Sequence, residues 1–119
     1  MAISTIPKSS NAFVNGSFIK VHSSISNVER ANYRISGNIC TVEVTFTTSA
    51  AISDSTAVLF QGLPNARQGS PRFFAFNKLV VAEPLVLCIT QEGKILNQWS
   101  HNGIPAGQYQ ADFVYIAED

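Results

Sequence analysis

An all-β domain, an antiparallel sandwich or jelly roll of about eight or nine short strands, is what this chain predicts. Three observations carry that expectation. First, Cys40, Val42, Val44 and Phe46 alternate with Thr41, Glu43, Thr45 and Thr47. A period of two with β-branched and aromatic residues describes a half-buried strand, because successive side chains point to opposite faces of a pleated sheet. Second, short apolar runs are separated by Gly, Pro, Asn and Ser clusters along the whole chain, the spacing of a sandwich or barrel. Third, Leu85 to Thr90 is apolar on both faces, so it reads as a strand covered on both sides. No segment shows a convincing helical period.

Taken in order, residues 1–15 are polar and aperiodic and read as an arm or linker. Residues 16–119 form the sandwich domain. Phe18 to Ser23 reads as a first strand, and Ser23 to Asn27 as a polar connection. Val28 to Ser36 then enters a hairpin at Gly37-Asn38, a pair that tolerates the positive φ of a two-residue turn. Ile39 to Thr48 returns. The run from Ser49 to Thr56 is a loop. Ala57 to Gln61 is a short strand, and Gly62 to Pro71 is a long exposed loop with two Pro and two Gly. Arg72 to Asn77 is a strand with Phe73 and Phe74 on opposite sides. Lys78 to Pro84 is a mixed apolar connection. Leu85 to Thr90, a turn at Gln91 to Lys94 with Gly93 in the left-handed region, and Ile95 to Ser100 make a second hairpin. His101 to Gly107 is a loop. Gln108 to Ala117 is the last strand, with Tyr109, Ala111, Phe113 and Tyr115 on one face.

The 119 residues suit one domain with one core. Only 13% are charged against 45% hydrophobic, so Ser, Thr, Asn and Gln must cover the surface. Net charge is zero. No basic field draws nucleic acid or an anionic membrane, and no apolar run is long enough to insert in one. The N-terminal residues lack the charged start and apolar core of a signal peptide. Cys40 and Cys88 sit singly within strands and read as small buried hydrophobes, with a disulfide between strands the alternative.

The chemistry-bearing residues do not assemble a catalytic or metal motif. His22 and His101 have no second ligand at metal spacing. Serines are abundant but none occupies a nucleophile elbow. The carboxylates are scattered, and no Gly-rich phosphate cradle is present. The expectation is therefore a non-enzyme without a cofactor. Two clusters fit binding instead. Trp99, His101 and Asn102 put an aromatic face beside imidazole and amide donors, which suits a sugar; the competing reading of Trp99 is a core residue. Arg67 and Arg72 flank a second loop whose donors suit an acidic or hydroxylated glycan; the competing reading is a solvated loop. Val86, Cys88, Val114 and Ile116 give two strands a second apolar face. That points to a homo-oligomer, or else to a core phased differently from this reading.

Three segments together carry a family resemblance. They are Tyr33 with Gly37-Asn38 and Ile39 to Thr48, then Leu59-Phe60-Gln61-Gly62-Leu63-Pro64, then Ile104-Pro105-Ala106-Gly107-Gln108-Tyr109 with Phe113-Val114-Tyr115-Ile116. Between Tyr33 and Ile116 the chain resembles the C-terminal tip, receptor-binding domains of tailed-phage and prophage tail-fibre or baseplate proteins. The trimeric jelly roll of the tumour-necrosis-factor and C1q type is also similar, in its architecture and its Gly-x-Tyr last strand. The phage resemblance implies a homotrimer, with the Val86, Cys88, Val114 and Ile116 faces as its interface, on a virion assembled in a bacterial cytoplasm. It implies attachment to a host surface glycan, with the N-terminal arm held by other tail or fibre proteins. The motif residues it matches are turn and core residues, so no receptor contact transfers. Other functions remain expectations beside it: a structural virion subunit, a monomeric carbohydrate-binding module, or a hydrolase.

Overall fold

The structure is a computed structural model that describes residues 14–54, 56–67, 71–77, 85–97 and 104–118. The strands are β1 (Val14–Ser17), β2 (Ile19–Lys20), β3 (Ile25–Ser36), β4 (Ile39–Thr48), β5 (Val58–Gln61), β6 (Arg72–Asn77), β7 (Leu85–Ile89), β8 (Ile95–Asn97) and β9 (Gly107–Ile116). All pairings are antiparallel, in the order β1-β3-β4-β9-β6-β7-β8-β5-β2. The expected all-β class and strand count are what is found.

The β3–β4 hairpin is the longest ladder. It turns at Gly37, whose φ of 65° no β-branched residue would adopt without strain, and runs in register from Ser36↔Ile39 to Ala31↔Val44. Register slips between Ile25 and Asn27 and between Val28 and Arg30 mark bulges. Each slip changes the phase of the pleat. That is why β3 begins three residues before the sequence periodicity suggests. β9 then pairs with β4 over ten residues, from Ile39↔Ile116 to Thr48↔Gly107.

Two segments turn this ladder into a nearly closed barrel. In β6, Arg72 to Ala75 pair with β7, whereas Phe76 and Asn77 pair with β9. At the other seam, β1 pairs with β3 and β2 with β5, and Phe18 alone separates them. The Phe18 amide still donates to the Ala31 carbonyl at 3.2 Å. Its side chain is buried, edge-on to Phe60 at 5.4 Å. The strand expected over Phe18 to Ser23 is only Ile19–Lys20, and β1 precedes it: burying the Phe18 ring takes the chain round a corner, where it changes partner. Val14 and Asn15, assigned by sequence to the arm, belong to β1. Residues 1–13 of that arm and the 78–84 connection lie outside the described residues.

The core lies between the two sides of this sheet. Phe46 and Phe60 are fully buried with ring centroids 5.3 Å apart, and Phe46 meets Tyr109 at 5.6 Å. The whole Cys40, Val42, Val44, Phe46 face is buried, as alternation predicts. Leu85, Leu87 and Ile89 line the opposite wall. A buried Phe is worth about 3–5 kcal/mol against Ala at such positions. These contacts, more than the surface pairs, hold the frame on which the loops and the outer faces are displayed.

Candidate binding surfaces

The loops gather at two ends. At one end the Gly37-Asn38 turn, the 62–67 loop, the Gln91-Lys94 turn and residues 117–118 are strapped together. The Arg67 amide donates to the Ile116 carbonyl at 3.0 Å, Ala117 to Asn38 at 2.8 Å, and Glu118 to Asn65 at 2.7 Å. The Tyr115 hydroxyl donates to the Pro64 carbonyl at 2.6 Å. Gly93 has φ 75°, and a Cβ there would collide with the Leu63 carbonyl, so the turn and the loop touch backbone to backbone. Arg67 is exposed on this pinned loop, and Arg72 is exposed where β6 leaves the same end, opposite Cys88. The fold therefore brings the two arginines to one end.

Trp99, His101 and Asn102 lie outside the described residues. Their flanks, Asn97 and Ile104, belong to the opposite end. Ile104 bridges Ile52 there. The Asn97 amide nitrogen Nδ2 donates to the Asp54 carbonyl at 3.0 Å, and its backbone N–H to Ala57 at 2.9 Å. Tyr109 clamps this end as Tyr115 clamps the other, its hydroxyl donating to the Pro105 carbonyl at 2.6 Å. Asn97 is fully buried, and its Oδ1 has no hydrogen-bond partner among the described residues. The residues that flank this cluster, Asn97 and Ile104, thus lie at the end opposite Arg67 and Arg72.

The outward side of the sheet adds surfaces that local sequence does not announce. Across β1, β3 and β4 it is polar. Asn15, Arg34 and Thr41 form one cross-strand row, and Asn32 and Glu43 a second. These residues line a concavity of about 390 Å³. Gly16 and Tyr33 complete the lining. The Tyr33 ring occupies the space a Gly16 Cβ would need, a known way for an aromatic side chain to cover a glycine opposite it in an edge strand. Arg30 reaches Glu43 at 3.4 Å, both half exposed. Further along, Glu29 accepts from Thr47 and from the Gln108 side-chain amide.

Beyond β4 the same side turns apolar. Val114 is 59% exposed, and Ile116 pairs with Ile39 across the strands with both side chains exposed. On β6, Phe74 and Phe76 are exposed with ring centroids 6.5 Å apart, and Phe74 stands opposite half-buried Val86. Of the four residues proposed from sequence as a second apolar face, Val114 and Ile116 are open, Val86 is partly covered, and Cys88 is only 1% exposed. The chain's own residues cover Cys88, so it presents no surface to a neighbour. Ile39, Phe74 and Phe76 take its place. Phe74 was legible as the residue out of phase with Phe73.

Both cysteines are free and buried, the small-hydrophobe reading. Burial pushes the Cys40 thiol up, and a hydrogen bond with Tyr115 opposes that. Burial raises Cys88 also, against a backbone hydrogen bond at Leu96 and the nearby Arg72 charge. The Tyr115 phenol is pushed well above its ordinary range, chiefly by burial and then by Cys40. Among the described residues no group of three or more His, Cys, Asp or Glu could hold a metal ion. None of their helices is long and apolar enough to cross a membrane.

No protein-family model matches the chain, and no curated protein does. The fold is similar to a solved structure, the receptor binding protein (gp15) of Listeria phage PSA, with a TM-score of 0.66. The match covers 98% of this chain and 71% of that one, at 9% sequence identity. The likeness is therefore one of fold.

Proposed function

We propose that this chain is a phage or prophage tail-fibre or baseplate tip domain that attaches the particle to a carbohydrate on the host surface. The observation that carries the proposal is the likeness of fold, over nearly the whole chain, to a phage receptor binding protein. The turn and core motifs between Tyr33 and Ile116 support it independently. The proposal makes the protein a virion component without enzymatic activity or cofactor. Its subunits form a homotrimer, which the exposed Ile39, Val114 and Ile116 and the exposed Phe74 and Phe76 favour, since large apolar side chains in water are stabilised by cover. Three weak sites on one rigid tip reinforce one another through effective concentration.

The arm of residues 1–13 binds other tail or fibre proteins in this reading. β1 enters beside Ile35, at the end that carries Arg67, Arg72 and Glu118. Adhesion of the purified protein to host cells tests the proposal, with Trp99→Ala and Arg67→Ala as variants and host polysaccharide as competitor. Saturable, polysaccharide-competed adhesion is the expected result, weakened by Trp99→Ala or Arg67→Ala. Failure of the wild-type protein to adhere to any host of the source particle, alongside binding to other tail proteins, would replace attachment with a structural role in the virion.

A further inference from the structure

We infer that the concavity on β1, β3 and β4 is a saccharide site, distinct from both loop clusters. The inference deepens the attachment reading, on which its biological meaning rests, but its chemistry stands on the cleft alone.

The side chains in it come from three adjacent strands in fixed register: Asn15 beside Arg34 beside Thr41, and Asn32 beside Glu43. Neighbouring side chains across such strands stand about 5 Å apart, roughly the width of a hexose ring. Their mixture is what selects the ligand. Two amides, a guanidinium, a hydroxyl and a carboxylate offer donors and acceptors together, which vicinal hydroxyls need because each one both donates and accepts. A phosphate or other anion would meet the Glu43 carboxylate as well as the Arg34 guanidinium. Glu43 keeps acceptor capacity beyond its contact with Arg30, since a carboxylate accepts about four hydrogen bonds. Placement on strands matters as much as chemistry. Little ordering is required when a ligand arrives, so a small polar ligand is held without the entropy cost of closing a loop.

The test is an amide NMR titration of the full chain with methyl α-glucoside, methyl β-galactoside, N-acetylglucosamine and methyl rhamnoside at millimolar concentrations. At least one sugar is expected to shift the amides of Asn15, Asn32, Arg34, Thr41 and Glu43 in a saturable way. Asn32→Ala and Glu43→Gln, both at exposed positions, are expected to weaken that binding about tenfold each, consistent with the loss of one hydrogen bond to a charged or amide group. Their spectra report at once whether the fold is intact. Absence of shifts with all four sugars, or shifts confined to the loop ends, overturns the inference. The same two variants are then run in the cell-adhesion assay. Adhesion that persists unchanged, with no shifts in the cleft, removes the cleft and leaves attachment standing. Sugar binding in the cleft by a protein that adheres to no cell removes attachment and leaves the cleft.

Discussion

Two halves of one sheet surface differ here although the same pleat builds both. On the outward side of β1, β3 and β4 stand Asn15, Asn32, Arg34, Thr41 and Glu43. On the outward side of β9 and β6 stand Val114, Ile116, Phe74 and Phe76, with Ile39 at the boundary and Asp112 and Gln110 between the two apolar groups. Thr41 and Val114 are direct cross-strand neighbours, so the border between the halves is one strand spacing wide. Beneath them the inward residues are alike: Val42, Val44 and Ala111 are all buried. Alternation therefore decides which residues face away from the core. It does not decide what those residues meet. The polar half needs no cover in water, whereas the exposed apolar side chains would be stabilised by cover, which the proposed trimer would supply.

The strongest way to break the comparison is to make the apolar half polar. If the proposed trimer forms, Val114→Thr with Ile116→Thr is expected to convert it to monomer at concentrations where the parent stays associated. The loss is about 2 kcal/mol or more per subunit, from apolar surface returned to water. Light scattering behind a sizing column reads it. Asn32→Glu, on the polar half, is expected to leave the mass unchanged. If the parent itself is monomeric at every concentration, the apolar half serves another partner.

A smaller effect sharpens the polar half. Gly16→Ala forces the Tyr33 ring out of its place and is expected to cost about 1–3 kcal/mol, the range for overpacking. Urea unfolding measures it. The cost should shrink when Tyr33→Ala is made in the same chain. An equal cost in both backgrounds would mean that backbone freedom at Gly16, and not the ring, sets the requirement.

The smallest effect addresses what the halves share. Cys40 and Tyr115 are paired residues of β4 and β9 under the border, and burial raises both groups. The folded chain thus keeps protons that the unfolded chain releases once pH passes the ordinary thiol value of 9.0. The stability tied to these groups is complete below that value and declines as pH rises above it. The urea midpoint is expected to fall between about pH 8 and about pH 10.5, and less so in Cys40→Ala with Cys88→Ala. An unchanged decline in that variant would assign it to the phenol alone.

Legibility followed the regularity of the backbone. β4, β6 and β9 lie within a residue of where alternation and turn residues place them, because a strand with one buried face writes its period into its sequence. β1 was not legible. Val14-Asn15-Gly16-Ser17 has no apolar alternation, and it is held by β3 and by the Tyr33 ring, which lie far along the chain. Bulges hid the start of β3 in the same way. Arg67 and Arg72 could be picked out as loop cations. That Tyr115 pins their loop through the Pro64 carbonyl could not, since the two residues are 51 apart.

By itself the sequence determined the all-β class, the β3–β4 hairpin with its glycine turn, and the buried face of β4 at Cys40, Val42, Val44 and Phe46. Those are properties of neighbours two residues apart or of a single dihedral angle, and short-range sterics and solvation fix them. The tertiary structure alone decided the two corners at Phe18 and at Ala75-Phe76, the gathering of Arg67 and Arg72 at one end, and the assembly of Asn15, Asn32, Thr41 and Glu43 into one cleft. Each of these depends on which distant strand supplies the next ladder of hydrogen bonds. Backbone donors and acceptors are the same at every residue, so that choice is made by the packing of the whole core and not by any local run of residues.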